Sequence, residues 1–388
     1  MTGGHGQNWI KTVGGVYMAS EANGPSTWAG ETSGTGTVEA SVINIYGAGG
    51  VKEPGSYSPM PTNLDNFEPF RDPVEKATRL VGQPDAPDSQ SAPLQAVSGG
   101  TIFGDCANPL TVSSGTYYAT DQNGVPTGQP IRVNGCVNFG TPGQFNNFVF
   151  AGGLHFADTG SQVKVAPGRY FAAGAMRNND VFYMRNGVAL TDYTPLIDGN
   201  AQPTQDLGEI FVFTDQNYPG LPIPADLKQQ LDALGLGYGR VEVQTGNTDG
   251  SEISLHGLTT DPVLKVSLPG NLQHFSPVVL YVDQGNSRID YDNGVLQEPG
   301  DPGCIAEPCL SDTTEVDDPM MMLQSSPNYD VFGTVYVPRG GSLQFQGSGN
   351  IDAPSQFIAG TFGLRGGAQI NPQPLSPGFA LMRAVLIE

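Results

Sequence analysis

The 388 residues include 53 Gly and 32 Pro beside 38% hydrophobic residues, enough apolar material for a core but too many helix breakers for an α or α/β protein. Only 14% are charged, and 38 acidic against 17 basic residues leave a formal net charge of -21, which repels phosphate backbones and anionic headgroups and argues against nucleic acid or a bilayer surface as partner. No run of 18 apolar residues occurs, so no segment reads as a membrane span.

The opening "MTGGHGQNW" lacks the basic and apolar regions of a signal peptide. "NWIKTVGGVYMAS" and "GTVEASVINIYGAGG" follow as short extended runs that end at glycines, which makes residues 1–51 a set of N-terminal β coils. Residues 52–98 are proline-rich and read as an excursion over the surface. The one ordered element expected there is a short helix, "DPVEKATRLV", with Asp72 as N-cap and Pro73 in its first turn.

Residues 99–206 return to β coils and contain an internal echo. "LTVSSGTYYATD" (110–121) and "VKVAPGRYFAAG" (163–174) share a valine-bearing strand, a small residue or proline, a glycine, one variable residue and two aromatics. The glycine permits the turn, and alternation sends one aromatic inward and one outward. Arg169, Arg177 and Arg185 recur at intervals of eight and read as scattered surface arginines over core aromatics, not as a nucleic-acid stripe. Residues 207–262 read as an insertion whose helix, "IPADLKQQLDALGL", sets Leu227, Leu231 and Leu234 on one face between Pro224 and Gly235. Residues 263–388 resume the coils around an acidic loop, Asp290 to Asp318.

A sandwich needs longer alternating strands joined by hairpins about 8–12 residues apart. Here strands of four to six residues are separated by single glycines, Gly-Asn or Gly-Gly, so the expected fold is all-β: a right-handed β-solenoid, like a parallel β-helix, with a small helix-bearing insertion. In-register stacking makes Asn146, Asn147, Gln344, Gln346, Asn350 and Gln369 candidates for amide ladders.

Four cysteines permit three pairings, of which proximity favours Cys106 with Cys136 across neighbouring coils and Cys304 with Cys309 within "CIAEPC". Two such bridges imply an oxidising compartment. Neither pair has zinc-knuckle spacing, and His5, His155, His256 and His274 are scattered without ligand spacing, so each reads as a surface or core side chain. In "VDQGNSRIDYDNG", Asp283, Asp290, Asp292 and Asn293 offer hard oxygen ligands in adjacent turns, and calcium is the ion they suit, although Gly294 comes one place too early for an EF-hand.

"SPVVLYVDQGNSRIDYDNG", "NYDVFGTVYVPRGGSLQFQGSGN" and "SQFIAGTFGLRGGAQI" together resemble the extracellular β-solenoid module of Flp/Tad-type and PilX-like pilus-associated surface proteins. The likeness rests on Asp283, Gly333 to Pro338, Gly347 to Asn350, Gln356 to Thr361 and Gly366 to Ile370. It implies an exported, non-enzymatic body displayed on or near a pilus or the cell surface and making adhesive or assembly contacts; the partners expected are other pilus or surface-assembly subunits and glycans, and the assembly expected is a homo-oligomer or filament. The hydrophobic anchor helix of that family has no counterpart in this sequence.

Two carbohydrate readings compete. "NTDG" (Asn247 to Gly250) and "GHG" (Gly4 to Gly6) are similar to motifs of polygalacturonase-like glycosidases, which implies Asp249 as acid and Asp317 with Asp318 as base pair. The order of the motifs is wrong for that family, and such strings are ordinary turn material. A glycan-binding module without catalytic acids is the other alternative. No G-x-S-x-G elbow, H-E-x-x-H pair or phosphate-cradling loop occurs.

Overall fold

The computed structural model describes residues 83–174 without interruption, most of 181–193, 207–233, 241–258, 268–283 and 321–370, and short strands within 2–64 and at 289–296 and 385–387. These residues are mostly β, with one α-helix among them, Ala225–Asp232. Strand pairing is parallel throughout, except between Ile289–Asp290 and Val295–Leu296.

The sequence "NNFVFAG" shows why these segments become strands. In Asn146–Gly152, Phe148 and Phe150 point to one face and Val149 to the other, and all three are fully buried. The register places Phe148 beside Tyr170 of Gly168–Gly174, and Tyr170 beside Phe211 of Glu209–Asp215. The three rings stack with centroids 5.0 and 4.8 Å apart. Each such aromatic pair adds about 0.5–1.5 kcal/mol to the burial of its area. The opposite face carries its own row, Val149, Phe171, Val212, Tyr281, Tyr336 and Ile358, one residue per successive strand.

Three parallel ladders arise in this way. The first runs through Leu94–Ser98, Gly115–Thr120, Asn146–Gly152, Gly168–Gly174, Glu209–Asp215, Val278–Val282, the second half of Tyr329–Tyr336 and Ser355–Ala359. The second includes Thr101–Gly104, Leu154–Phe156, Phe182–Met184, Val241–Thr245, Met321–Ser325, Ser342–Gly347 and Thr361–Arg365. The third includes Leu110–Val112, Gln162–Val165, Ala189–Asp192 and Glu252–His256. The long strand Ile131–Phe139 serves the second ladder with its first half and the third with its second. Inward residues of all three ladders form one continuous core.

The two echoed motifs occupy equivalent places, a third-ladder strand followed by a corner and a first-ladder strand. Tyr117 donates its hydroxyl to the Ser113 carbonyl and Tyr170 to the Ala166 carbonyl, each four residues back across that corner. Gly168 is required by close approach and not by a turn conformation: a Cβ there would lie 2.4 Å from the Asn146 carbonyl oxygen. The outward aromatics are covered. Tyr118 packs beside Leu227 and Leu231 of the helix, and Phe171 lies in a second core with Tyr218, Leu268, Leu272 and Phe275.

Within residues 207–262, Glu209–Asp215, Val241–Thr245 and Glu252–His256 pair within the ladders, and the helix Ala225–Asp232 lies between the first two of them in the chain. Leu227 and Leu231 are buried as expected, whereas Leu234 lies outside the described residues. Cys106, in the turn after Thr101–Gly104, is bonded to Cys136 of Ile131–Phe139; Cys304 and Cys309, like the expected helix at 72–81, lie outside the described residues.

The stacking order departs from chain order. Val385–Ile387 pairs on one side with Ser355–Ala359 and on the other with Gly15–Ala19, and the ladder continues through Val42–Tyr46 to Thr62–Leu64. Residues 83–92 then lie along the outside of the first ladder as a strap. The Gln83 side chain donates to Asp283, the Tyr218 hydroxyl donates to the Pro84 carbonyl (2.6 Å), Arg169 Nη1 donates to the Asp85 carbonyl (2.6 Å), and Thr116 Oγ1 donates to the Ala92 carbonyl (2.9 Å). These anchors step across five successive strands, about 19 Å at the usual strand spacing.

Candidate metal centre

At the corner between the third and first ladders, three chemically active side chains converge from three different strands. Asp192 ends Ala189–Asp192, Glu209 begins Glu209–Asp215 and His256 ends Glu252–His256. Asp192 continues the column Val112, Phe139, Val165, so a carboxylate stands where the preceding units bury an apolar side chain. Glu209 is registered with Gly168, and Gly168 with Asn146, whose amide fills the same corner by donating to the carbonyls of Thr141, Gln144 and Pro167. Glycines beside the triad let the backbones close up. A Cβ on Gly208, at φ +69°, would meet the Gly257 carbonyl oxygen at 2.2 Å, and one on Gly257 would meet that of Pro277 at 2.1 Å.

His256 Nδ1 is in direct contact with Asp192 Oδ2 and lies 3.8 Å from Glu209 Oε2. The other Glu209 oxygen accepts the His256 backbone N–H at 2.9 Å, which holds the carboxylate against the end of Glu252–His256. All three residues are at least 95% buried, and one donor atom from each lies within 4.8 Å of the others. Asp192 Oδ1 has no hydrogen-bond partner among the described residues. Two carboxylates and an imidazole buried this close together have the chemistry to hold a cation or to share a proton.

A second polar concentration is the open cleft between the strap and the loops carrying Tyr218 and Asn271. Its groups bond one another. Asn271 Oδ1 accepts the Asp85 N–H (2.8 Å), Asp85 Oδ2 accepts the Asn271 N–H (2.9 Å), and Arg169 Nε donates to Asn147 Oδ1 (2.7 Å). Burial pushes the Arg169 guanidinium down from its usual range while Asp85 and Asp88 oppose that, and burial pushes the Tyr218 hydroxyl up.

The residues expected to bind calcium are placed differently from one another. Asp283 is buried, and its two oxygens accept from the Gln83 side chain and from Thr214 Oγ1 (2.9 Å), so it anchors the strap. Asp290 lies in the two-residue strand Ile289–Asp290, and Asp292 lies outside the described residues, as do Asp249, Asp317, Asp318 and Gly4 to Gly6. Arg169 is buried, not a surface arginine; Arg185 is exposed and Arg177 is not described. Of the amide-ladder candidates, Asn146 bonds turn carbonyls, Gln344 is registered with Met322 and Gly363, and Asn350 with Gln369.

Histidine spacing along the chain does not reveal the triad, because its three residues are 17 and 47 positions apart. The available signal was local: in "VALTD" the inward alternation Val188, Leu190 ends on an acid. His155 tilts against Tyr183 with centroids 5.6 Å apart, and His274 is exposed. No family model, curated protein or solved structure matches the chain.

Proposed function

We propose that the chain is a right-handed β-solenoid of three-strand coils, an exported, non-enzymatic structural or adhesive body within a pilus or other surface filament assembly. The observation that carries this reading is the succession of parallel rungs in the first ladder, with both faces buried along its middle. Such a body gains length and stiffness one rung at a time, because each rung contacts only its neighbours. A disulfide suits an oxidising compartment. Of the residues that carry the resemblance, Gly333 to Tyr336 and Gln356 to Ala359 are strand residues of this ladder, which supports reading them as coil segments.

Assembly contacts have a candidate surface at the Leu94–Ser98 end. There Phe103 is 66% exposed, Leu94, Leu110 and Val125 are exposed with it, and the edge strands have no outer neighbour among the described residues. An edge of this kind templates further strand pairing. The test is light scattering and electron microscopy of the full chain at rising concentration, with Phe103→Lys as comparison. Concentration-dependent oligomers or fibres, weakened by Phe103→Lys, support the proposal. A chain that stays monomeric and releases reducing sugar from polyuronides replaces it with the glycosidase reading, and glycan binding without turnover replaces it with the binding-module reading.

A further inference from the structure

We propose that Asp192, Glu209 and His256 form a structural site for a divalent first-row transition metal of the zinc class. Three observations converge on it. The donors comprise one imidazole nitrogen and two carboxylates, a set that zinc takes readily and that calcium, which prefers six to eight oxygens, does not. Their separations suit a small ion: a tetrahedral set at zinc distances has donors about 3.4 Å apart, and Glu209 Oε2 lies 3.8 Å from His256 Nδ1. Asp192 Oδ1, on a side chain 3% exposed, has no hydrogen-bond partner among the described residues, and it supplies a fourth donor if Asp192 binds through both oxygens.

Charge balance points the same way. Two carboxylates inside an apolar core cost free energy unless compensated, and a divalent cation compensates both at once. A divalent ion with neutral His256 and ionised Asp192 and Glu209 makes the cluster neutral. The contact between His256 Nδ1 and Asp192 Oδ2 then opens around the ion, while the bond from the His256 backbone N–H to Glu209 Oε1 stays in place and orients the carboxylate. The ligands come from three strands, so the ion ties successive rungs together at the one corner where an acid replaces Val165 of the preceding unit. It is bound on folding, since the donors do not converge before the rungs stack.

The experiment uses the untagged full chain, expressed with zinc, manganese and calcium supplied together and analysed by elemental mass spectrometry. The expected result is about one equivalent of zinc per chain, retained through chelator at neutral pH and lost only on unfolding, with a lowered melting temperature after refolding without metal that zinc restores and calcium does not. Refolding with cobalt(II) is expected to give the intense visible absorption of a four-coordinate nitrogen and oxygen site, a readout independent of any variant. Glu209→Gln and Asp192→Asn, which preserve shape, are expected to lower the metal content at least tenfold. Less than a tenth of an equivalent of any transition metal, with no thermal response to zinc or cobalt, overturns the proposal. Stoichiometric calcium in place of zinc overturns the assignment of metal class, and a full metal content in both variants overturns the assignment of ligands.

Discussion

Arg169 reaches across 84 positions of sequence to donate from Nη1 to the carbonyl of Asp85, while its Nε holds Asn147 on the adjacent rung. This buried guanidinium fastens the strap to the ladder. Replacing it with Ala leaves two acceptors unsatisfied and is expected to lower stability by about 3 kcal/mol. Arg169→Lys, a point donor that cannot serve both acceptors, is expected to recover less than half of that. Urea unfolding measures the loss, and protease cleavage within 83–92 ahead of global unfolding locates it.

The stack of Phe148, Tyr170 and Phe211 predicts a graded response. Phe211→Ala removes the ring at one end and is expected to cost about 3–5 kcal/mol. Tyr170→Phe keeps the ring, loses the hydroxyl contacts to the Ala166 and Phe139 carbonyls, and is expected to cost about 1 kcal/mol. Equal losses in thermal or chemical unfolding would show that the stack is not a continuous unit.

Close backbone approach at the corner predicts intolerance of the smallest side chain. Gly257→Ala places a methyl 2.1 Å from the Pro277 carbonyl oxygen and Gly168→Ala one 2.4 Å from that of Asn146. Each is expected to destabilise by more than about 2 kcal/mol, since both obstacles are backbone. Gly143→Ala, with open space around its Cβ but a positive φ, is the milder comparison, at about 1 kcal/mol. Melting temperatures of the three variants rank them.

Reduction of the Cys106–Cys136 bond frees a loop of 30 residues, and the chain-entropy relation gives a loss of about 3–4 kcal/mol. The Cys106→Ser, Cys136→Ser double variant is expected to show the same loss without reductant. A denaturation midpoint unchanged by reductant would show that neighbouring rungs already hold this loop.

Acid should weaken the turns at Asp88 and Asp121. Backbone N–H groups, led by that of Ser91 for Asp88 and of Val125 for Asp121, hold both carboxyls below their usual range. A depressed folded pKa gives stability that is present above the unfolded value, about 3.9, and disappears as pH falls through the folded one. Urea midpoints are therefore expected to fall below about pH 4, and less steeply in Asp88→Asn and Asp121→Asn. Parallel curves for wild type and variants would remove these turns from the acid response.

Local chemistry by itself determined the β character, the glycine corners, the helix face of Leu227 and Leu231, the equivalence of the Tyr117 and Tyr170 motifs and the closeness of Cys106 and Cys136. Each follows from alternation, turn preference or short separation, all carried by neighbouring residues. Tertiary structure alone decided that Tyr17 registers with Val385, that Asp283 is an anchor for the strap, that Arg169 is buried, and that His256 meets Asp192 and Glu209. In a parallel ladder every rung contact joins residues tens of positions apart, and the register is set by side chains packing between rungs. No local pattern along the chain encodes which rung a given segment will lie upon.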